Sequence, residues 1–190
     1  MQLRTVTAWV LGIASIACIP AAADTITVSY SFAGATTGAP VIAGTTLTVD
    51  GLATGSVTQW SPAVNTLWNP ATFHTHNVVD LTNGLDNGSF SIAFANGDVL
   101  SGDLFENDSA VNPATGAGPF TQTLTFTAGT GQFLGATGSV SGGGLITSTG
   151  FTTSGTGSLT AAGVAAPEPA SIALLFGGLA LIAARRRLKY

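Results

Sequence analysis

Between Asp24 and Ala166 the chain contains no lysine, no arginine and no cysteine. Each absence removes a class of function. Without basic side chains a domain cannot neutralise phosphates, which takes away the electrostatic attraction on which nucleic-acid binding and adhesion to anionic lipid depend. The same lack rules out lysine Schiff-base chemistry and arginine clamps. The one cysteine, Cys18, lies outside this stretch, so the domain has neither a disulfide nor a thiol nucleophile. Its stability has to come from packing and backbone pairing. A sustained 3.6-residue apolar period is also missing from Thr25 to Val164, and no helix is expected there.

What the middle lacks is gathered at the ends. The five basic residues, Arg4, Arg185, Arg186, Arg187 and Lys189, all lie in the terminal segments. Of the nine acids, eight lie in the middle: Asp24, Asp50, Asp80, Asp86, Asp98, Asp103, Glu106 and Asp108. With eight acids, neither lysine nor arginine, and histidine counted as neutral, the middle has a formal charge of −8, against −4 for the whole chain.

Residues 1–23 read as a secretory signal peptide: Arg4, an apolar stretch from Ala8 to Ile19, then Pro20 and the small residues Ala21, Ala22 and Ala23, with cleavage expected after Ala23. A buried core helix would need a polar face, and Val10 to Ile19 offers only Ser15. A lipoprotein signal is the rival, since Cys18 follows Ser15-Ile16-Ala17, but Ser15 stands where a lipobox has leucine. Cys18 is therefore read as a small apolar residue of the leader.

At the other end, Ala170 to Ala184 is a run of fifteen uncharged residues with one hydroxyl, Ser171. A spanning helix takes about 20 residues, with 17 at the low end. Adding Pro169 and Leu188, or letting the arginines snorkel, brings the run within range. Arg185, Arg186, Arg187 and Lys189 would then stay on the cytoplasmic side and leave the rest of the chain outside. A core helix of the domain would be amphipathic, which this run is not. Two prolines around Glu168 hold the backbone extended and accessible just before the span.

The order Pro167-Glu168-Pro169, apolar run, arginine cluster resembles the PEP-CTERM sorting signal. That resemblance implies an exosortase-like membrane protease/transpeptidase acting at the Pro-Glu-Pro element, with Glu168 recognised and the tail removed. It also implies a membrane-anchored precursor and a final place on the surface or in the exopolysaccharide of a Gram-negative bacterium. The expected organisation is a signal peptide at 1–23, one secreted domain at 24–165 and the sorting signal at 166–190, with a signal helix and a transmembrane helix at the two ends.

The domain itself reads as strands. Ile26, Val28, Tyr30 and Phe32 alternate with Thr25, Thr27, Ser29 and Ser31, and Phe120 to Thr127 repeats the pattern. Phe90–Phe94 should pair with Val99–Phe105 across Asn96-Gly97, a dipeptide that favours positive φ at both corners of a tight hairpin. Further strands are expected over 45–49, 55–60, 73–81, 138–141, 145–149 and 151–161. The class is all-β, an antiparallel barrel or sandwich. Gly129 to Gly138, GTGQFLGATG, resembles a turn-and-strand element of dirigent-like and allene-oxide-cyclase-like barrels, which implies a small antiparallel barrel of about eight strands.

Candidate chemistry is sparse. His74 and His76 would share one face of a strand, as would Asp80, but Asp80 lies about 13 Å from His76 along it, too far to join one metal. An exposed or rim position suits both histidines. Asp98, Asp103, Glu106 and Asp108 form an acidic group that could hold calcium, although their spacing fits no EF-hand loop, and a solvated hairpin edge charged against edge-to-edge pairing accounts for the acids without an ion. No Gly-x-Ser-x-Gly is present, Gly138 to Gly142 being off by one position, and Gly129 to Gly135 is one residue too long for a dinucleotide fingerprint. Trp60 and Trp68 read as core plugs, with sugar stacking the rival role. No catalytic residue and no cofactor is expected. The chain reads as an exported, non-enzymatic structural or adhesive protein of an exopolysaccharide matrix or biofilm. The alternative is a surface-displayed barrel that binds a small ligand or catalyses a dirigent- or cyclase-like reaction.

Overall fold

The structure, a computed structural model, describes residues 24–61 and 68–161, without the side chains at 24 and 59–61. The expected signal segment with Ala21 and Ala23, the sorting tail from Pro167 to Lys189, both terminal helices and the Trp60 side chain lie outside that description. Among the described residues no helix is long and apolar enough to cross a membrane.

Eight strands run up and down in sequence order and close into an antiparallel barrel. They are β1 (Asp24–Ala43), β2 (Thr46–Ser61), β3 (Ala71–Asp80), β4 (Leu85–Phe94), β5 (Val99–Asn107), β6 (Gly118–Gly129), β7 (Thr137–Thr147) and β8 (Gly150–Ala161). Closure comes from β1 pairing with β8, Asp24 opposite Ala161 through Gly34 opposite Phe151. The all-β expectation holds, and the choice between barrel and sandwich falls to the barrel. A 3-10 turn, Gly131–Phe133, precedes β7.

Alternation builds the core directly. Ile26, Val28, Tyr30 and Phe32 of β1 point inward, as do Phe90, Ile92 and Phe94 of β4 and Leu124 and Phe126 of β6, all buried. Following hydrogen-bonded partners around the wall from Val57 returns to β2 at Leu47, ten residues away, and this stagger tilts the strands. An eight-stranded barrel has an interior that side chains can fill. The void lined by Val28, Leu124, Phe126 and Leu159 is ≈ 10 Å³, room for about one water.

Three expectations need correction. The segments 45–49 and 55–60 are one strand, β2, and 138–141 and 145–149 are one strand, β7. Glycines that look like turn signals instead face inward-pointing aromatics across the ladder. Gly55 opposes Phe32 and Gly144 opposes Phe120, and a Cβ added at either would come within 2.8 Å and 2.9 Å of the opposing ring. The β4–β5 hairpin is present, with Gly97 N–H donating to the Phe94 carbonyl and Phe94 N–H to the Asp98 carbonyl. Only Gly97 takes positive φ, 88°, and Asn96 does not. The loop is thus the three-residue kind, in which one left-handed residue after an ordinary turn matches the strand twist.

The lower end, where β4 turns into β5, is sealed by aromatics. Trp68, fully buried, packs 5.9 Å from Phe94 and 5.2 Å from Phe133, and Phe94 stacks on Phe133 at 4.7 Å. Asn69 fastens this plug by accepting from Val57 N–H at 2.8 Å and donating to the Val57 carbonyl at 3.0 Å. Trp68 is accordingly a core residue.

Candidate functional site

At the upper end the inward phase turns polar. The ladder sets Asp86 of β4 opposite Glu106 of β5, and Glu106 opposite Gln122 of β6. The three are 0%, 7% and 3% exposed. Their row continues through Gly142 and Gly155 to Tyr30 on β1. Gly155 leaves space that the tyrosine ring occupies, since a Cβ there would lie 2.7 Å from the Tyr30 hydroxyl. Tyr30 thereby meets Gln122, whose Nε2 donates to the hydroxyl at 2.6 Å.

Asn77 of β3 reaches the same place from one step below. Its Nδ2 donates to Asp86 Oδ2 at 2.7 Å and to Glu106 Oε2 at 3.0 Å. Val78 N–H donates to Asp86 Oδ1 at 3.0 Å. Asp108, the first residue after β5, completes the group: one carboxylate oxygen from each of Asp86, Glu106 and Asp108 lies within 4.8 Å of the others. The Asp108 N–H donates to the Gly84 carbonyl at 2.6 Å and its carbonyl accepts from Val111 N–H at 2.8 Å, so the cluster also holds the base of the β5–β6 loop.

Carboxyls gathered away from water resist ionisation. Burial, with Asp108 and Asp86 beside it, pushes Glu106 up to about 9. Burial and the Asp86 charge push Asp108 up to about 6. Asp86 is also raised by burial, held back by hydrogen bonds from Asn77 and Val78. Burial raises Tyr30 against its hydrogen bonds with Thr153 and Gln122. Asp86 and Glu106 face each other across the ladder, so the pair can hold a proton between them. Every other donor atom the cluster could offer a cation is an oxygen. Asn77 Oδ1, Asp108 Oδ1 and Gln122 Oε1 are buried without a hydrogen-bond partner.

Of the four acids expected to group together, the fold unites two. Glu106 and Asp108 are part of the buried cluster and not of a solvated edge. Asp103, three residues from Glu106, has the opposite strand parity and is exposed on the outer wall. Asp98 sits at the other end of the barrel, where its carboxylate accepts from Asn96 Nδ2 at 2.9 Å and Gln132 N–H at 3.3 Å. Asp86, Asn77 and Gln122 were not singled out from the sequence. Their signal was in phase: Asp86 shares the parity of Phe90 and Ile92, and Gln122 lies between Phe120 and Leu124.

His74 and His76 are exposed on the outer wall, as expected for a rim or surface position. His76 Nδ1 lies 2.7 Å from Asp50 Oδ1, and Ser89 is the next residue across the sheet. These residues line an open groove of ≈ 400 Å³ with Thr37, Thr75 and Ser91. Asp80 does not join them. It accepts from Thr82 N–H at 2.9 Å, Thr82 Oγ1 at 2.6 Å and Asn83 Nδ2 at 2.9 Å in the β3–β4 turn, bonds that hold its carboxyl below the usual range.

On the opposite side of the barrel the outer wall carries hydroxyls and no charge. The strands β6, β7 and β8 contain no acidic or basic residue, and β1 has only Asp24. Thr123, Ser141, Thr156 and Ser29 form one cross-strand row; Thr125, Ser139, Ser158 and Thr27 form the next. Some hydroxyls pair with each other, Thr25 with Thr160 at 2.6 Å and Ser29 with Thr58 at 2.7 Å.

No curated protein and no solved structure matches the chain, and the likeness of Gly129 to Gly138 to dirigent-like barrels finds no support there. The family model of the PEP-CTERM protein-sorting motif matches residues 165–187. That stretch contains Pro167, Glu168, Pro169 and the three arginines. The chain therefore carries a PEP-CTERM protein-sorting motif behind its barrel, which makes it an exported, exosortase-sorted protein whose membrane-anchored precursor is processed at the cell envelope.

Proposed function

We propose that the barrel serves as a non-enzymatic structural or adhesive module of an extracellular polysaccharide layer, working through its outer wall. The observation that carries this reading is the uncharged Ser/Thr face spanning β6, β7, β8 and β1, set on a barrel whose core is filled. Each hydroxyl both donates and accepts, and the rows repeat at about 4.8 Å across strands and about 7 Å along them. Such a lattice offers a neutral glycan many weak hydrogen bonds with no charge to desolvate. The −8 domain would at the same time stay soluble and repel its copies.

Delivery follows from the tail. Pro167-Glu168-Pro169 is the strip the exosortase recognises, Arg185, Arg186, Arg187 and Lys189 keep the tail's end cytoplasmic, and cutting releases the barrel to the surface of a Gram-negative cell. Mass spectrometry of the released protein tests this: a chain still extending through Arg187 rules out removal of the tail. Co-sedimentation of the released protein with exopolysaccharide of the producing cells tests the wall. Thr125→Asp, Ser141→Asp and Thr156→Asp together should abolish pelleting, and unchanged pelleting would refute a glycan-facing role.

The second reading, a small-ligand or enzymatic barrel, is favoured by the groove in which Asp50, His76 and Ser89 lie in one cross-strand row. His76 and Asp50 are each 56% exposed, so water solvates the pair and leaves little electrostatic activation of the serine. Labelling of Ser89 by an organophosphate probe would reverse the ranking.

A further inference from the structure

We propose that the polar end of the barrel binds one divalent cation of calcium type, with Asp86, Glu106 and Asp108 as its carboxylate ligands and the amide oxygens of Asn77 and Gln122 completing the set. Distances come first. One oxygen from each carboxylate lies within 4.8 Å of the other two. Oxygens around a calcium ion stand about 2.3–2.6 Å from it, so ligands on opposite sides are about 5 Å apart. The three carboxylates already span one coordination sphere.

The unpartnered oxygens are independent of that geometry. Asn77 and Gln122 are 8% and 3% exposed, and Asn77 Oδ1, Gln122 Oε1 and Asp108 Oδ1 have no hydrogen-bond donor. A buried acceptor left without a donor is costly, and these three belong to residues of the same cluster. Asn77 already lies between Asp86 and Glu106, bonded to both through Nδ2. Turning its amide over would aim Oδ1 at the same two carboxylates, a change that a cation between them would reward. Gln122 stands directly across the ladder from Glu106.

The domain has no lysine or arginine to supply the missing charge, and its two histidines, His74 and His76, are exposed on the outer wall. The donor set is oxygen throughout, with no imidazole or thiolate, which suits calcium and disfavours zinc or copper. Carboxylates mixed with side-chain carbonyls, brought in from β3, β4, β5, β6 and the loop after β5, give the adaptable geometry that calcium accepts and magnesium does not. An ion here would tie Asp108, and with it the β5–β6 loop, to the barrel. This inference is independent of what the outer wall binds.

The test uses the full chain, purified in detergent, stripped with a chelator and titrated with calcium chloride by calorimetry and thermal unfolding. The expected result is one equivalent bound and an unfolding midpoint raised by several degrees at about 1 mM calcium, the range typical of extracellular sites. Glu106→Gln and Asp86→Asn should each weaken binding by about tenfold or more, and Asp103→Asn, an exposed acid of the same strand, should leave it unchanged. A wild-type chain with no heat of binding and no midpoint shift overturns the proposal, whether or not the variants fold. So does a calcium effect that survives both substitutions, or an equal response to magnesium chloride.

Discussion

The two ends of the barrel interior are built on the same alternation of strand residues and filled with opposite chemistry. Below, Trp68, Phe94 and Phe133 close the barrel with aromatic rings in mutual contact. Above, Asp86, Glu106, Gln122 and Asn77 occupy the equivalent inward positions with polar atoms, several of them unpartnered. A plug of rings needs only to fit, because apolar surface gains by leaving water. A cluster of carboxyls needs protons or a cation, because buried charge without a partner is strongly disfavoured. The stabilisation at the lower end therefore needs no proton or ion, whereas the upper end makes stability depend on pH and on the ions present.

Breaking the lower end should have the largest effect. Trp68→Ala removes a fully buried ring and should cost about 3–5 kcal/mol in urea unfolding; a loss under about 1 kcal/mol would mean that the aromatic plug does not close the barrel. Next in size is the pH response of the upper end in chelator. Glu106 keeps its proton up to about 9 in the folded state and sheds it near the ordinary carboxylate value when unfolded. The native chain thus binds more protons between those two values, so stability is fullest below about 4.5 and falls as pH rises toward about 9. Glu106→Gln should flatten that slope, as read from unfolding midpoints across pH; a slope unchanged by the substitution would take the buried carboxyl out of the account.

A third change tests the glycine gap that lets Tyr30 lean into the polar row. Gly155→Val would press a side chain to within 2.7 Å of the Tyr30 ring and should cost about 1–3 kcal/mol by overpacking, where neutrality would show that the ring has room to move. Least affected should be the outer wall: Thr156→Ala removes an exposed hydroxyl and should stay within about 0.5 kcal/mol of the parent. A larger loss there would mean that the hydroxyl rows stabilise the barrel itself.

Phase explains how much of this could be read in advance. Strands such as 120–127 announce themselves because apolar and hydroxyl residues alternate with period two, and the Asn96-Gly97 hairpin because glycine is needed at one corner. The breaks expected within β2 and β7 are absent, because a glycine opposite an aromatic and a glycine in a turn look alike along one strand. For the site, Glu106 and Asp108 are visible as acids, but proximity in sequence groups Asp98 and Asp103 with them. Asp98 belongs to the opposite barrel end, and Asp103 to the opposite face.

By itself the amino-acid order determined the all-β class, the absence of any internal cation and the sorting tail, since each depends on local pattern or on composition. Closure into a barrel, the meeting of Asp86 with Glu106 and Gln122, and the separation of a hydroxyl wall from an acidic one were decided only in three dimensions. The physical reason is that strand partners and stagger are settled by packing between segments distant in the chain. A stagger different by one residue would have sent every one of these side chains to the other face.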